Sequence, residues 1–188
     1  MLRYILVLVI SIFTVPPLFH MFSASEEVAD QTFPDSTYLA VMTDFSALGV
    51  PVSYQTNPAL FFELHKWLGT PHRRRGQQGI DCSGLVKIIY RKVYGIDLKG
   101  SSQDMSRLIV PLPQESLKEG DLVFFRVYHQ SRIDHVGIYL GGGKFIHTSS
   151  SQGVKISDLS ETYFKRNLVK GGRLPDFSPI QTSVAKDQ

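Results

Sequence analysis

The feature that most constrains the fold is a pair of short alternating segments joined by three consecutive glycines. The segments cover residues 134–140 and 144–148, and the glycines are residues 141–143. Alternation of apolar and polar residues is typical of strands, and a short glycine-rich connection is typical of a tight turn. The sequence therefore predicts an antiparallel β-hairpin.

The pairing register of this hairpin follows from the length of its turn. If all three glycines form the turn, Leu140 pairs with Lys144 and Ile138 faces Ile146. A shift of one residue would move every side chain of one strand to the opposite face. We therefore expect the face on which each side chain lies to depend on the turn.

Two histidines lie in this hairpin, one in each strand. In the expected register His135 is the diagonal neighbour of His147 on the same face, with Cβ atoms about 7–8 Å apart. Gly137 lies opposite His147, and its missing side chain is expected to leave room there. The sequence therefore predicts that the two imidazoles are within reach of each other.

The single cysteine, Cys82, lies at the start of a predicted amphipathic helix. Apolar residues follow it on one helical face: Leu85, Val86, Ile89 and Val93. Gly95 is typical of a residue that ends a helix. Free N–H groups give a helix N-terminus a positive partial charge, which favours the thiolate, so we expect a lowered pKa for Cys82.

Cys82, His135 and His147 are the residue types that a cysteine hydrolase requires. A thiolate nucleophile needs a base, and the base needs a group that orients it. His135 is then the base, and His147 bonds its other ring nitrogen and fixes its tautomer. The backbone N–H of Cys82 is a candidate donor to the oxyanion.

Two other interpretations of these three residues stay open. In the first, the histidines are ordinary strand residues and Cys82 is an unreactive buried side chain. In the second, the three side chains hold a zinc ion, for which their types are suitable. No paired spacing such as Cys-x-x-Cys supports the zinc site, so we predict neither a metal nor a cofactor.

The motifs around these residues resemble the NlpC family of bacterial cell-wall cysteine peptidases, which have a papain-like fold. The segments that carry the resemblance are residues 68–71, 79–86, 120–125 and 134–147. The resemblance implies an α+β fold in which a nucleophile-bearing helix packs on an antiparallel β-sheet. It also implies that Cys82 is the nucleophile, His135 the base and His147 the polar third member.

The same resemblance implies a substrate and the residues that bind it. The substrate is the peptide stem of peptidoglycan, cut between D-glutamate and diaminopimelate or between D-alanine and diaminopimelate. Asp81 and Ser83 match family positions that line the substrate groove. His72 stands where the family usually has a tyrosine, so we expect its imidazole at the substrate site. The alternatives are an amidase or acyltransferase on the same fold and a non-catalytic cell-wall-binding module.

The chain is predicted to contain one peptidase domain, at residues 56–175. A lead-in at residues 26–55, in which residues 37–48 form a short helix, precedes it, and a polar tail at 176–188 follows. Residues 122–125 are apolar on both faces, which predicts a central strand. The formal net charge of +3 is too small to indicate nucleic acid as a partner, and we expect a monomer.

Residues 1–25 have the layout of a secretory signal peptide. Arg3 precedes an apolar run, and small residues at 23–25 offer a cleavage site. Pro16 and Pro17 interrupt the run, which favours a cleaved signal over an uncleaved membrane anchor, the alternative. We therefore expect export to the periplasm, the cell envelope or the medium, where an unpaired cysteine indicates a reactive thiol.

This layout predicts a mature protein that begins near Glu26 and is recovered outside the cytoplasm without detergent. Cell fractionation followed by N-terminal sequencing measures both properties. Full-length protein that stays with the membrane fraction would show that the segment is an anchor.

Overall fold

The computed structural model describes residues 35–73, 78–129 and 131–175. The predicted signal segment, residues 26–34 of the lead-in and the tail from residue 176 lie outside the described residues. Within the described ranges, no helix has the length and apolar character needed to cross a membrane.

Helices precede most of the strands along the chain. The α-helices are α1 (Asp35–Ala47), α2 (Pro58–His65), α3 (Cys82–Tyr94), α4 (Ser102–Leu108) and α5 (Thr162–Asn167), with a 3-10 helix at Gln114–Ser116. The strands are β1 (Val110–Leu112), β2 (Leu122–Phe125), β3 (His135–Gly141), β4 (Lys144–Ser149), β5 (Gly153–Asp158) and β6 (Leu168–Arg173). The mixture of helices with an antiparallel sheet confirms the predicted α+β class.

The strands form one antiparallel sheet in the order β1-β6-β2-β3-β4-β5. Strand β2 lies between β6 and β3, and all its residues are buried, which confirms the predicted central strand. Leu122 and Phe124 pack into the larger core beneath the helices, whereas Val123 and Phe125 pack into a smaller core on the opposite face. The sheet is therefore covered on both sides, and α3 packs against β3 and β4.

The larger core extends into the predicted lead-in. Helix α1 confirms the short helix expected at residues 37–48, and its Phe45 is fully buried in the same core as the peptidase elements. Val50 follows it into that core. The core thus includes a segment that the predicted domain boundary at residue 56 leaves outside.

The β3–β4 hairpin has the expected register along its strands but a different turn. Ile138 pairs with Ile146, as predicted. The expected pairing of Leu140 with Lys144 is wrong, because Gly141 pairs with Lys144 and Leu140 falls in a β-bulge. The turn therefore consists of two residues, Gly142 and Gly143, instead of the expected three. The strand gains one unpaired residue, Leu140, in the bulge. Together the turn and the bulge restore the offset on which the register of the histidines depends.

Gly137 lies close to the neighbouring strand, and the room expected beside His147 is already filled. A Cβ atom at this position would lie 2.7 Å from Phe145 Cδ2 and 2.9 Å from the Ile146 carbonyl oxygen. Both distances are shorter than real van der Waals contacts. The aromatic ring of Phe145 therefore occupies the space that the missing side chain leaves.

The change Gly137→Ala is expected to lower the free energy of unfolding by about 1–3 kcal/mol, because the methyl group meets a strand backbone that is held in the sheet. Chemical denaturation measures the loss. Gly171→Ala is the matched control, because the nearest atoms to its methyl group would be the Leu117 methyl carbons, at 2.8 and 2.9 Å, and a side chain can shift more readily than a paired strand backbone. Equal losses for both variants would contradict the close approach at Gly137.

Candidate active site

Cys82 is the first residue of α3, as the sequence predicted. The Asp81 side chain caps the helix, with Oδ1 accepting hydrogen bonds from the Gly84 N–H at 2.7 Å and from the Ser83 hydroxyl at 2.8 Å. The helix ends at Gly95, whose φ of 69° lies in the left-handed region. These caps fix the position of the Cys82 backbone at the N-terminus of the helix.

The sulfur of Cys82 faces the beginning of β3. The backbone N–H of Val136, the residue that follows His135 in the chain, is near enough to the sulfur to act on the pKa of Cys82. This contact crosses from the helix to the sheet and places the thiol beside the strand that carries the first histidine.

The two histidines of the hairpin are hydrogen-bonded to each other. His135 Nε2 lies 2.9 Å from His147 Nδ1, and the two residues are only 6 % and 4 % exposed. The diagonal arrangement expected from the register is therefore present in the structure. Their roles as base and orienting residue stay predictions.

Ser157 on β5 extends this arrangement, and the sequence analysis did not identify it. Its Oγ lies 3.0 Å from His147 Nε2, so both ring nitrogens of His147 have partners. Ser157 is the diagonal neighbour of His147, because His147 pairs with Lys155 two residues earlier. Because side chains alternate along β5, Ser157 lies on the same face as Lys155 and therefore on the face of His147.

Aromatic side chains hold the His147 ring in place. The ring stacks on Phe145 with centroids 5.0 Å apart and meets Phe164 edge-on at 5.2 Å. On the other side of the pair, Phe125 lies 5.9 Å from His135. Rings packed in this way have little freedom to rotate, so the hydrogen bonds of the pair keep one geometry.

Burial keeps both histidines neutral. It lowers the pKa of His135 to about 4, and a positive charge on His72 lowers it further while the Asp134 carboxylate opposes the change. It lowers the pKa of His147 to about 3, with added repulsion from His135 and Lys155. A neutral imidazole has a free ring nitrogen, which a base requires.

The pKa of Cys82 is shifted in the direction opposite to the one expected. Burial raises it, and the negative charge of Asp81 raises it further. Hydrogen bonds from the N–H groups of Val136, Ser83 and Cys82 itself lower it but do not reverse the shift. Desolvation of the sulfur therefore outweighs the helix N-terminus in the resting protein.

The three residues predicted to bind substrate surround the start of α3. His72 forms a short backbone bridge with Ile80, and its charge acts on the pKa of both Asp81 and His135. Burial opposes ionisation of Asp81, but hydrogen bonds from Gly84 and Ser83 bring its pKa below the usual value. Asp81 is thus an ionised cap, and the substrate contacts of all three residues stay predictions.

The loop before β3 is organised by Asp134, a role that the sequence analysis did not assign. Its carboxylate accepts hydrogen bonds from the N–H groups of Val127, Tyr128 and His129, at 2.7, 2.9 and 2.7 Å. An aspartate that closes a loop in this way fixes the residue that follows it, which is His135.

The geometry of His147 does not suit the alternative zinc site. A zinc ligand needs a free ring nitrogen, and both nitrogens of His147 are already bonded to His135 and Ser157. Across the described ranges, no group of three or more histidine, cysteine, aspartate or glutamate side chains is placed to hold a metal ion.

Comparison with known proteins identifies relatives of this chain. The sequence model of the NlpC/P60 family matches residues 65–173. The chain is 38% identical over 118 residues to a probable endopeptidase NlpC homologue of Haemophilus influenzae, covering 62% of each chain. It is 37% identical over 110 residues to the murein DD-endopeptidase MepS/murein LD-carboxypeptidase of Escherichia coli, covering 57% of each. The match therefore spans about three fifths of the length of these relatives.

Solved structures share the fold. A lipoprotein-like NLP/P60 family protein of Staphylococcus aureus superposes with a TM-score of 0.56 at 30% identity, over 65% of this chain and 42% of that one. The NlpC/p60 domain of the peptidoglycan hydrolase SagA superposes with a TM-score of 0.52 at 28% identity, over 62% of this chain and 97% of that domain.

The lowered pKa of His135 predicts an unusually acidic limit for activity. With His135 in its predicted role as the base, which accepts a proton only when it is neutral, kcat/KM should stay level from about pH 8 to about pH 5 and fall as the pH drops through about 4. Initial rates in overlapping buffers measure this profile, with tryptophan fluorescence confirming that the protein stays folded. A half-maximal rate near pH 6.5 would contradict the shift.

Proposed function

The chain belongs to the NlpC/P60 family, and on this premise we propose that it is an exported cysteine peptidase that hydrolyses amide bonds in peptidoglycan stem peptides. The observation that carries the proposal is the buried His135–His147 hydrogen bond beside the helix N-terminus that bears Cys82. Some of the matching relatives are named murein DD-endopeptidases, which supports the same substrate class.

The first half of the reaction forms a thioester. His135 takes the proton of the Cys82 thiol, and the sulfur attacks the carbonyl carbon of the scissile amide. The resulting oxyanion accepts a hydrogen bond from the backbone N–H of Cys82. The positive partial charge of the helix N-terminus stabilises it further. His135 then returns its proton to the amine as the C–N bond breaks, leaving the acyl group on sulfur.

The second half releases the acyl group and restores the enzyme. His135 takes a proton from water, and the hydroxide attacks the thioester carbonyl carbon. The C–S bond breaks, the carboxylic product leaves, and the proton on His135 returns to the sulfur. His147 keeps His135 oriented in both halves, and because the resting residues are neutral, charge separation occurs only during the reaction.

The substrate groove is proposed to begin at the start of α3. Asp81 is ionised at neutral pH because its pKa is lowered, so it suits a positively charged amine of the substrate. Ser83 and His72 flank this carboxylate and offer further hydrogen-bonding groups. Polar groups of this kind fix the orientation of a bound peptide.

Two bonds of the stem peptide are candidates. One is the bond between D-glutamate and diaminopimelate, and a relative of this chain is the gamma-DL-glutamyl hydrolase of Bacillus subtilis, 37% identical over 109 residues. The other is the bond between D-alanine and diaminopimelate, which fits the relatives named DD-endopeptidases. The masses of the digestion products distinguish the two.

Two further functions use the same fold. An amidase or acyltransferase would form the same thioester on Cys82 with another acyl substrate, and it would leave muropeptides intact. A non-catalytic wall-binding module would bind sacculi but leave Cys82 without an acyl intermediate. The neutral, hydrogen-bonded histidine pair favours the peptidase over the binding module, because binding alone does not require a buried base.

The proposal also covers the location, the oligomeric state and the partner of the protein. The protein acts as a monomer in the periplasm, the cell envelope or the medium, where its polymer substrate lies. Residues 1–25 direct export, and contact with the membrane occurs only if this segment stays uncleaved. Peptidoglycan is the partner, and the reaction needs no cofactor.

Digestion of purified diaminopimelate-type muropeptides, followed by liquid chromatography and mass spectrometry, tests the function. The wild-type protein should yield fragments cut at one of the two candidate bonds. Cys82→Ser should lose hydrolysis by at least about a thousandfold while keeping the fold, because a hydroxyl is far less acidic than a thiol of nearly the same shape. Wild-type rates for Cys82→Ser would overturn the nucleophile, and intact muropeptides with the wild-type protein would overturn the substrate class.

A further inference from the structure

Ser157 ends a chain of hydrogen bonds that crosses three neighbouring strands. His135 on β3 contacts His147 on β4 at 2.9 Å, and His147 contacts Ser157 on β5 at 3.0 Å. All three residues are buried, with exposures of 6 %, 4 % and 4 %. The two hydrogen bonds of this chain are therefore formed between buried side chains.

The positions of these protons are coupled. A neutral imidazole carries one proton, on one of its two nitrogens. His135 can accept the thiol proton at Nδ1 only while its own proton is on Nε2, the nitrogen that faces His147. His147 must then accept at Nδ1, so it carries its proton on Nε2 and donates it to Ser157 Oγ.

The opposite arrangement gives an inactive base. If the Ser157 hydroxyl donated to His147 Nε2, His147 would carry its proton on Nδ1 and donate it to His135 Nε2. His135 would then hold its proton on Nδ1 and have no lone pair for the thiol. The direction of one hydroxyl thus distinguishes a competent pair of histidines from an incompetent one.

We propose that Ser157 is a positioning residue of the peptidase. Its oxygen accepts the His147 Nε2–H and holds both histidines in the tautomers that leave His135 Nδ1 free. The role rests on the proposed function, and Ser157 itself does not contact substrate. Lys155 pairs with His147 across the strands and disfavours a positive charge on the His147 ring. His147 therefore stays neutral, and a neutral hydroxyl is a suitable partner for it.

The kinetic test compares three variants. Ser157→Ala removes the acceptor and should lower kcat about tenfold with KM unchanged, which corresponds to about 1.4 kcal/mol. Ser157→Thr keeps a hydroxyl and should retain more of kcat than the alanine variant. Thr148→Val is the matched control, because Thr148 is 2 % exposed on β4 and its hydroxyl has no hydrogen-bond partner among the described residues. It should keep the wild-type kcat.

The spectroscopic test reads the tautomers without substrate. Long-range proton–nitrogen spectra of protein labelled with 15N-histidine should show His147 protonated on Nε2 in the wild type. Ser157→Ala should increase the Nδ1-protonated form. A wild-type His147 protonated on Nδ1 would overturn the proposal even if Ser157→Ala does not fold.

The two tests separate this proposal from the proposed function. Intact muropeptides with the wild-type protein would overturn the peptidase, whereas the spectra would still decide the direction of the Ser157 hydrogen bond. In an active enzyme, a Ser157→Ala variant that loses thermal stability but keeps both kcat and the tautomer of His147 would show a structural role and overturn the positioning role.

Discussion

The offset between strands β3 and β4 is the constraint on which the site depends. It places His135 and His147 on one face at hydrogen-bonding distance, and a shift of one residue would separate them. The offset is fixed at the glycine end, where a bulge at Leu140 is followed by a two-residue turn of Gly142 and Gly143. Gly137 fixes it again in the middle of the hairpin, because only a residue without a side chain fits against Phe145.

Desolvation determines the charge state of the resting site. The helix N-terminus favours a thiolate at Cys82, but burial of the sulfur and the charge of Asp81 act in the opposite direction and prevail. Burial also keeps His135 and His147 neutral. A site of this kind holds no ion pair in the resting state, so in the proposed reaction the helix N-terminus stabilises the oxyanion rather than the free thiol.

The hairpin that carries the histidines is also supported from outside the region that the family model matches. Pro51 lies so close to the turn that a Cβ atom on Gly141 or Gly142 would be 3.1 or 3.0 Å from its ring. Phe45 and Val50 join the core beneath the sheet, whereas the family match begins at residue 65. The segment before the family domain is therefore part of the same folded unit and packs on the tip of the hairpin that carries the two histidines.

The sequence by itself determined the elements whose signals are local. The helix after Cys82, the central strand at residues 122–125 and the hairpin follow from apolar periodicity and from glycine positions, which act over a few neighbouring residues. The sequence also predicted that His135 and His147 lie on the same face of the hairpin. This prediction holds because the bulge compensates for the shorter turn.

Only the tertiary structure decided the properties that arise from contacts between distant segments. Ser157 joins the histidines because β5 pairs with β4, and the length of a strand is set by its neighbour rather than by its own pattern. The raised pKa of Cys82 and the filled space at Gly137 depend on how much surrounding chain excludes water and where one phenyl ring packs. Burial is a property of the whole fold, and no short stretch of sequence encodes it.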